Sequence, residues 1–130
     1  MLTNLILRPM KGEFELTAIK DRLDLMADVF VDPLGSGMYL VCGLPEAKEM
    51  YRDRRVKDPS RFPYVCLIDV TPEQVSVLQE YGTAEELRSA REFVSWILQR
   101  FACHIEDDYK ADITELYREV GVGAFYPKGL

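Results

Sequence analysis

Few residues in this chain carry side chains that could perform chemistry, and they are widely separated. His104 is the single histidine among 130 residues, so a zinc site built from several histidines is excluded. Cys103 is its neighbour, but successive residues of a strand point to opposite faces, which prevents this pair from acting as nucleophile and base. A Cys42 or Cys66 nucleophile would need the fold to bring His104 beside it. We therefore predict no catalytic residue.

The three cysteines each lie in or beside an apolar run and form no C-x-x-C pair. Reduced cysteine behaves as a small hydrophobic residue and is often buried. The sequence therefore predicts three buried thiols in a protein of a reducing compartment, and we expect it in the cytoplasm.

Two short patterns imitate ligand-binding motifs without completing them. Gly35-Ser-Gly37 lacks a third glycine and a following Lys-Ser/Thr pair, and it lies between two predicted strands rather than before a helix. Asp32, Glu46 and Lys48 have the composition of a Mg²⁺-dependent nuclease site, whose chemistry needs the glutamate and lysine on one strand face beside the aspartate. Glu46 and Lys48 fall in a predicted helix instead. Neither pattern predicts a cofactor.

Glu106, Asp107, Asp108 and Asp112 form the densest acidic cluster of the sequence. Carboxylate oxygens suit Mg²⁺ or Ca²⁺, but the spacing lacks the glycine and the final glutamate of an EF-hand loop. We interpret the cluster as a solvated loop in which Asp112 favours the start of the following helix. A cation site and a contact with a basic partner are the alternatives.

Between Lys48 and Arg61 the basic residues outnumber the acidic ones, and aromatic residues are interleaved with them. Arginine and tyrosine are frequent anchors of protein interfaces. The tract is either a solvated helix face with local ion pairs or a recognition surface for an anionic group or an acidic protein. The predicted partner-binding residues are Tyr51, Arg52, Arg54, Arg55 and Arg61.

Composition limits the classes of partner. Twenty-two acidic against sixteen basic residues give a net charge of −6, which works against nucleic-acid binding and against docking on an anionic membrane, and favours a basic protein partner. The chain has no signal-peptide pattern and no apolar stretch of the ~18 residues that a membrane helix needs. With 48% hydrophobic and 29% charged residues, residues 1–130 are expected to form one globular domain.

The apolar pattern predicts the elements of the first two-thirds of the chain. Thr71-Pro-Glu-Gln74 contains the residues of a helix start, so we predict a helix from Thr71 to Gly82. The alternative is a turn followed by a return strand at 75–79. The elements before it are a strand at 2–7, a helix at 15–27, strands at 29–31 and 38–42 joined as a hairpin, a helix beginning near Pro45, and a strand at 64–70.

The next helix has the strongest signature, because Thr83 and Glu86 form a capping box before an apolar stripe that runs from Leu87 to Phe101. A strand at 102–106 and a helix at 113–120 follow. Together these elements predict an α+β fold, a two-layer sandwich with a mainly antiparallel sheet. The order is the ferredoxin-like β-α-β-β-α-β, with additional C-terminal helices and a strand.

Two functions remain after the motifs are weighed. The favoured one is a small protein-binding module, of the adaptor or immunity-protein type, without catalytic activity. The alternative is a small-molecule-binding or enzymatic α+β domain with a pocket at a sheet face or dimer interface, near Tyr64, Asp69 and His104. Exposed sheet edges and the aromatic C-terminal residues also favour a homodimer.

Overall fold

The computed structural model describes residues 3–32, 35–46, 64–80 and 82–115. Within these ranges the chain forms one antiparallel sheet of six strands and two α-helices. The strands are β1 (Thr3–Pro9), β2 (Val29–Val31), β3 (Tyr39–Val41), β4 (Cys66–Val70), β5 (Val75–Gln79) and β6 (Cys103–Glu106), and the helices are α1 (Leu16–Asp24) and α2 (Arg88–Arg100).

The strands lie side by side in the order β2-β3-β4-β5-β1-β6, and every neighbouring pair is antiparallel. The predicted α+β class with a mainly antiparallel sheet is confirmed. The ferredoxin-like order is not confirmed, because its β-α-β units join parallel strands and no pair among the described strands is parallel. Most residues of the helix predicted to begin near Pro45, and of the one predicted at 113–120, lie outside the described residues.

One face of the sheet meets both helices and forms the hydrophobic core. Because strand residues alternate in direction, one set of side chains points toward the helices and is almost fully excluded from solvent. This set packs in a single cluster with Ile19 and Leu23 of α1 and with Phe93 and Val94 of α2. Its members on the four strands of longest pairing are Leu5, Leu7, Cys66, Ile68, Val75, Val77, Cys103 and Ile105.

Helix α1 confirms the element predicted at 15–27, although it is shorter at both ends. Its polar side also contacts α2, since the Arg22 guanidinium lies 5.5 Å from the centroid of the Trp96 ring. Trp96 in turn meets the edge of Phe101, with ring centroids 5.8 Å apart. Trp96 therefore covers the border of the core between the two helices.

The capping box before α2 is confirmed by two reciprocal hydrogen bonds. The backbone N–H of Thr83 donates to Glu86 Oε1 at 2.9 Å, and the N–H of Glu86 donates to Thr83 Oγ1 at 3.2 Å. Regular helix begins only at Arg88, after a turn. Gly43, at the end of β3, approaches this corner so closely that a Cβ would lie 2.7 Å from the Glu86 carbonyl oxygen.

The helix predicted from Thr71 to Gly82 is wrong, and the alternative hairpin is what forms. The N–H of Thr71 donates to the carbonyl of Gln74 at 2.9 Å, and the N–H of Gln74 donates to Thr71 Oγ1 at 3.1 Å. The chain then returns as β5, which pairs along its whole length with both β4 and β1. Two complete ladders outweigh the weak helix propensity of Val75-Ser-Val77.

Candidate functional site

The face of the sheet turned away from α1 and α2, which we call the second face, carries partly exposed side chains on β1, β4, β5 and β6. On β3 the same face carries Leu40, which is only 5% exposed. The second face consists of the strand residues that alternate with the buried set. The strand register places Leu67, Leu78 and Asn4 in one row and Asp69, Ser76, Ile6 and Glu106 in the next. A last pair, Arg8 and His104, lies directly opposite across β1 and β6. An apolar row therefore borders a polar one.

Arg8, His104 and Glu106 form a charged cluster at the β1–β6 end of the second face. Arg8 Nε donates to Glu106 Oε2 at 2.8 Å, and His104 Nε2 lies 3.6 Å from Glu106 Oε1. The side chains of Arg8, His104 and Glu106 are 41%, 29% and 21% exposed. The carboxylate of Glu106 thus lies between two nitrogen groups that remain accessible to a ligand or a partner.

The pKa of Glu106 is held below the usual glutamate value, chiefly by the hydrogen bond from Arg8. Partial burial acts in the opposite direction, while the charge of Arg8 and the proximity of His104 lower the pKa further. Glu106 is therefore ionised at neutral pH and orients the Arg8 guanidinium.

Hydrogen bonds tie the second face to the loop after β6. The Ser76 hydroxyl donates to Asn4 Oδ1 at 3.0 Å, linking β5 to β1. The backbone N–H of Asn4 donates to Asp108 Oδ1, also at 3.0 Å. The acidic loop is consequently fixed beside the start of β1, at the border of the second face.

The acidic cluster predicted as a solvated loop spans the end of β6 and a largely exposed turn that hydrogen bonds hold in place. Asp107 Oδ1 accepts hydrogen bonds from the N–H groups of Tyr109 and Ala111, at 2.8 and 3.0 Å. Asp112 Oδ1 accepts one from the Thr114 N–H at 2.9 Å, as expected for a residue at a helix start. These carboxylates satisfy backbone donors, and no group of three or more candidate metal ligands occurs within the described ranges.

The three cysteines are buried and not disulfide-bonded, which confirms the prediction of buried thiols. Cys66 and Cys103 belong to the strand set that faces the helices, whereas His104 lies on the second face. Cys42 follows β3, which is separated from β6 by three strands. Burial also raises the pKa of the Cys66 thiol, so that it stays neutral. The structure therefore brings no cysteine beside His104.

The structure separates Asp69 and His104, two of the residues near which the alternative function predicts a pocket. Asp69 on β4 and His104 on β6 are separated by β5 and β1, a distance of about 14 Å at the usual strand spacing. The Tyr64 hydroxyl donates instead to Glu80 Oε1 at 3.4 Å. Partial burial and the Glu80 charge raise the pKa of Tyr64.

A surface depression at the start of α2 has no counterpart in the sequence analysis. Its volume is about 280 Å³, and Asp28, Gly43, Glu85 and Arg88 are among its lining residues. Asp28 is only 7% exposed and accepts a hydrogen bond from the Ser89 hydroxyl. Asp28 precedes β2 and Ser89 lies within an amphipathic helix, so nothing in the local sequence indicates this contact. A carboxylate here also stabilises the positive end of the α2 dipole.

The structure describes the Gly35-Ser-Gly37 pattern fully, but it describes the nuclease-like pattern only in part. Gly35 and Gly37 both have φ near +82° and join β2 to β3, which confirms that this G-x-G belongs to a hairpin loop. Lys48, the last member of the nuclease-like pattern, lies outside the described residues. The predicted partner-binding residues also lie outside them: Tyr51, Arg52, Arg54, Arg55 and Arg61.

No protein-family model matches the chain, and no curated protein or solved structure shows significant similarity to it. Among the described helices, neither is long and apolar enough to cross a membrane. The function is accordingly argued from geometry and charge.

Proposed function

We propose that this protein is a small protein-binding module without catalytic activity, and that the second face is its contact surface. The observation that supports this function is the polar row held in place by hydrogen bonds across β1, β5 and β6, beside an apolar row of Leu67 and Leu78. Protein interfaces combine an apolar centre with a polar rim in the same way.

Arg8 is the best-placed anchor on this surface. Its Nε is bonded to Glu106, while its two terminal nitrogens make no hydrogen bond or ion pair with the described residues. Arginine is enriched among the residues that dominate binding energy. A guanidinium already oriented by a carboxylate loses less conformational freedom when a partner binds.

The alternative function, a small-molecule-binding domain, is favoured by one observation. The depression beside Asp28 has a volume of about 280 Å³, close to the lower end of the roughly 300–1,000 Å³ typical of ligand pockets. It is open, however, and the buried carboxylate already accepts the Ser89 hydroxyl. We therefore rank the protein-binding function first.

Site-specific crosslinking tests the proposal. A photoreactive amino acid at Asp69 would report contacts of the second face in cells of the native host. The matched control position is Leu25, which is 82% exposed at the end of α1. We expect one protein partner to crosslink from Asp69 and not from Leu25. If the two positions give the same products, or Asp69 gives none, the second face is not the contact surface.

The same experiment addresses two further predictions. A photoreactive group at Tyr51 tests the basic tract between Lys48 and Arg61 as a second contact surface. A crosslinked product of twice the chain mass would indicate a homodimer through the second face. We propose a cytoplasmic protein partner, and no nucleic acid or membrane. A crosslink from Tyr51 would add a second contact surface to this proposal, and a product of twice the chain mass would make the partner a second copy of the chain.

A further inference from the structure

We infer that the partner of the second face is a basic protein, an inference that rests on the protein-binding function proposed above. The charges of the described residues are unevenly distributed. The two helices carry five basic and three acidic side chains, whereas the other described residues carry three basic and fifteen acidic ones. The described residues outside the two helices thus hold a formal charge of −12 and the two helices +2, while the residues outside the described ranges carry eight basic and four acidic side chains.

On the second face itself the basic charge is already compensated. The ion pair with Glu106 offsets the charge of Arg8. Asp69 makes no ion pair with any described residue, and Asp108 accepts only the Asn4 N–H at the border of the face. The uncompensated charges at this surface are therefore acidic.

This charge distribution favours a partner with a positively charged surface. Exposed charge pairs contribute little individually, but the summed field of a surface accelerates association with an oppositely charged partner and repels one of the same sign. An acidic partner approaching the second face would meet the carboxylates of Asp69 and Asp108. A partner presenting lysine or arginine side chains would place them beside Asp69 and Asp108 without disrupting the Arg8–Glu106 pair.

The test uses hexalysine as a model cation, followed by ¹⁵N NMR at low salt. We expect the amide shifts to concentrate at Asn4, Asp69 and Ser76 rather than on the helices. The triple variant Asp69→Asn, Glu106→Gln and Asp108→Asn should weaken binding roughly tenfold, because each removed surface charge is worth a factor of about 1.5–5. These amides can still accept the hydrogen bonds from Arg8 and Asn4.

The matched control is Asp21→Asn, Asp24→Asn and Glu92→Gln, which removes the same charge from exposed positions of the helices. We expect it to weaken hexalysine binding less than threefold. Equal weakening by both triple variants, shifts centred on the helices, or preferential binding of hexaglutamate to the second face would overturn the inference. Unchanged amide spectra away from the substitutions verify that the variants are folded.

Failure of the inference can be separated from failure of the proposed function. If a photoreactive group at Asp69 crosslinks to a protein while hexalysine does not bind the second face, the inference of a basic partner is wrong and the proposed protein-binding function is still supported. If hexalysine binds as expected but no protein crosslinks from Asp69 in the native host, the protein-binding function is wrong.

Discussion

Leu67 and Ile68 are adjacent on β4, yet they belong to different environments. Ile68 is fully buried against the helices, whereas Leu67 lies on the second face and retains solvent contact. The same contrast holds for Val77 and Leu78 on β5. One face is thus made of tightly packed side chains that stabilise the fold, and the other retains partial solvent contact on β1, β4, β5 and β6.

The largest expected difference between the two faces comes from truncating the side chains of Ile68 and Leu67. Ile68→Ala should lower the free energy of unfolding by about 3 kcal/mol, because it removes a fully buried side chain and leaves a cavity. Leu67→Ala should cost about 1 kcal/mol, since its site can be filled by water. Urea denaturation measures both. Equal losses would mean that the second face is packed as tightly as the core.

The next effect concerns the corner that holds α2 over the core. Gly43 has φ of +85°, and a Cβ would approach the Glu86 carbonyl oxygen to 2.7 Å. Gly43→Ala should therefore destabilise the protein by about 2 kcal/mol through backbone strain and the contact. Gly35→Ala is the control, because its φ is also positive but nothing lies near its Cβ. A similar loss in both variants would show that the close approach to Glu86 is unimportant.

On the second-face side, the loop after β6 contains a strained residue. Lys110 has φ of +62°, a left-handed conformation that non-glycine residues adopt at a cost. We expect Lys110→Gly to raise the free energy of unfolding by about 0.5 kcal/mol, since relief of strain exceeds the added entropy of the unfolded chain. Thermal unfolding provides the measurement, with the exposed Lys20→Gly in α1 as a variant that should be destabilised instead.

The smallest expected effect is the pH dependence of the Arg8–Glu106 pair. The pKa of Glu106 is lowered in the folded state, so its ion pair stabilises the protein above the unfolded pKa of about 4.3 and the effect is lost as pH falls through the folded value. The difference in unfolding free energy between the native chain and Glu106→Gln should be at most about 1 kcal/mol at pH 7 and should vanish near pH 2. An increase toward low pH would contradict the assignment.

Two similar segments show how far the sequence predicts the fold. Thr71 and Thr83 each accept a hydrogen bond from the backbone N–H three residues later. The first segment is followed by alternating Val75 and Val77 and returns as a strand, while the second is followed by a 3.6-residue stripe and becomes α2. Local capping residues are common to both, so they cannot decide the outcome. The period of the apolar residues that follow decides whether a strand or a helix forms. After Thr71, pairing of β5 with β4 and β1 further favours the strand.

The candidate site was less predictable than the elements. His104 and Asp69 were recognised as polar strand residues, but their separation depends on the strand order, which no local pattern contains. Arg8 is absent from the predicted site residues, because Pro9 favours an end of the first strand at Leu7. In the structure β1 extends to Pro9, whose missing N–H is tolerated at the end of the strand. The neighbours of Arg8 come from almost 100 residues further along the chain.

The position of β1 inside the sheet has a consequence for folding during synthesis. β1 is synthesised before the other described strands, yet its contacts with β5 and β6 join residues 72 and 98 positions apart. The strands β4 and β5 can pair as soon as both have emerged from the ribosome, but β1 must wait for nearly the whole described chain. Closure of the sheet is therefore a late event, and until then β1 exposes two unpaired edges to other nascent chains.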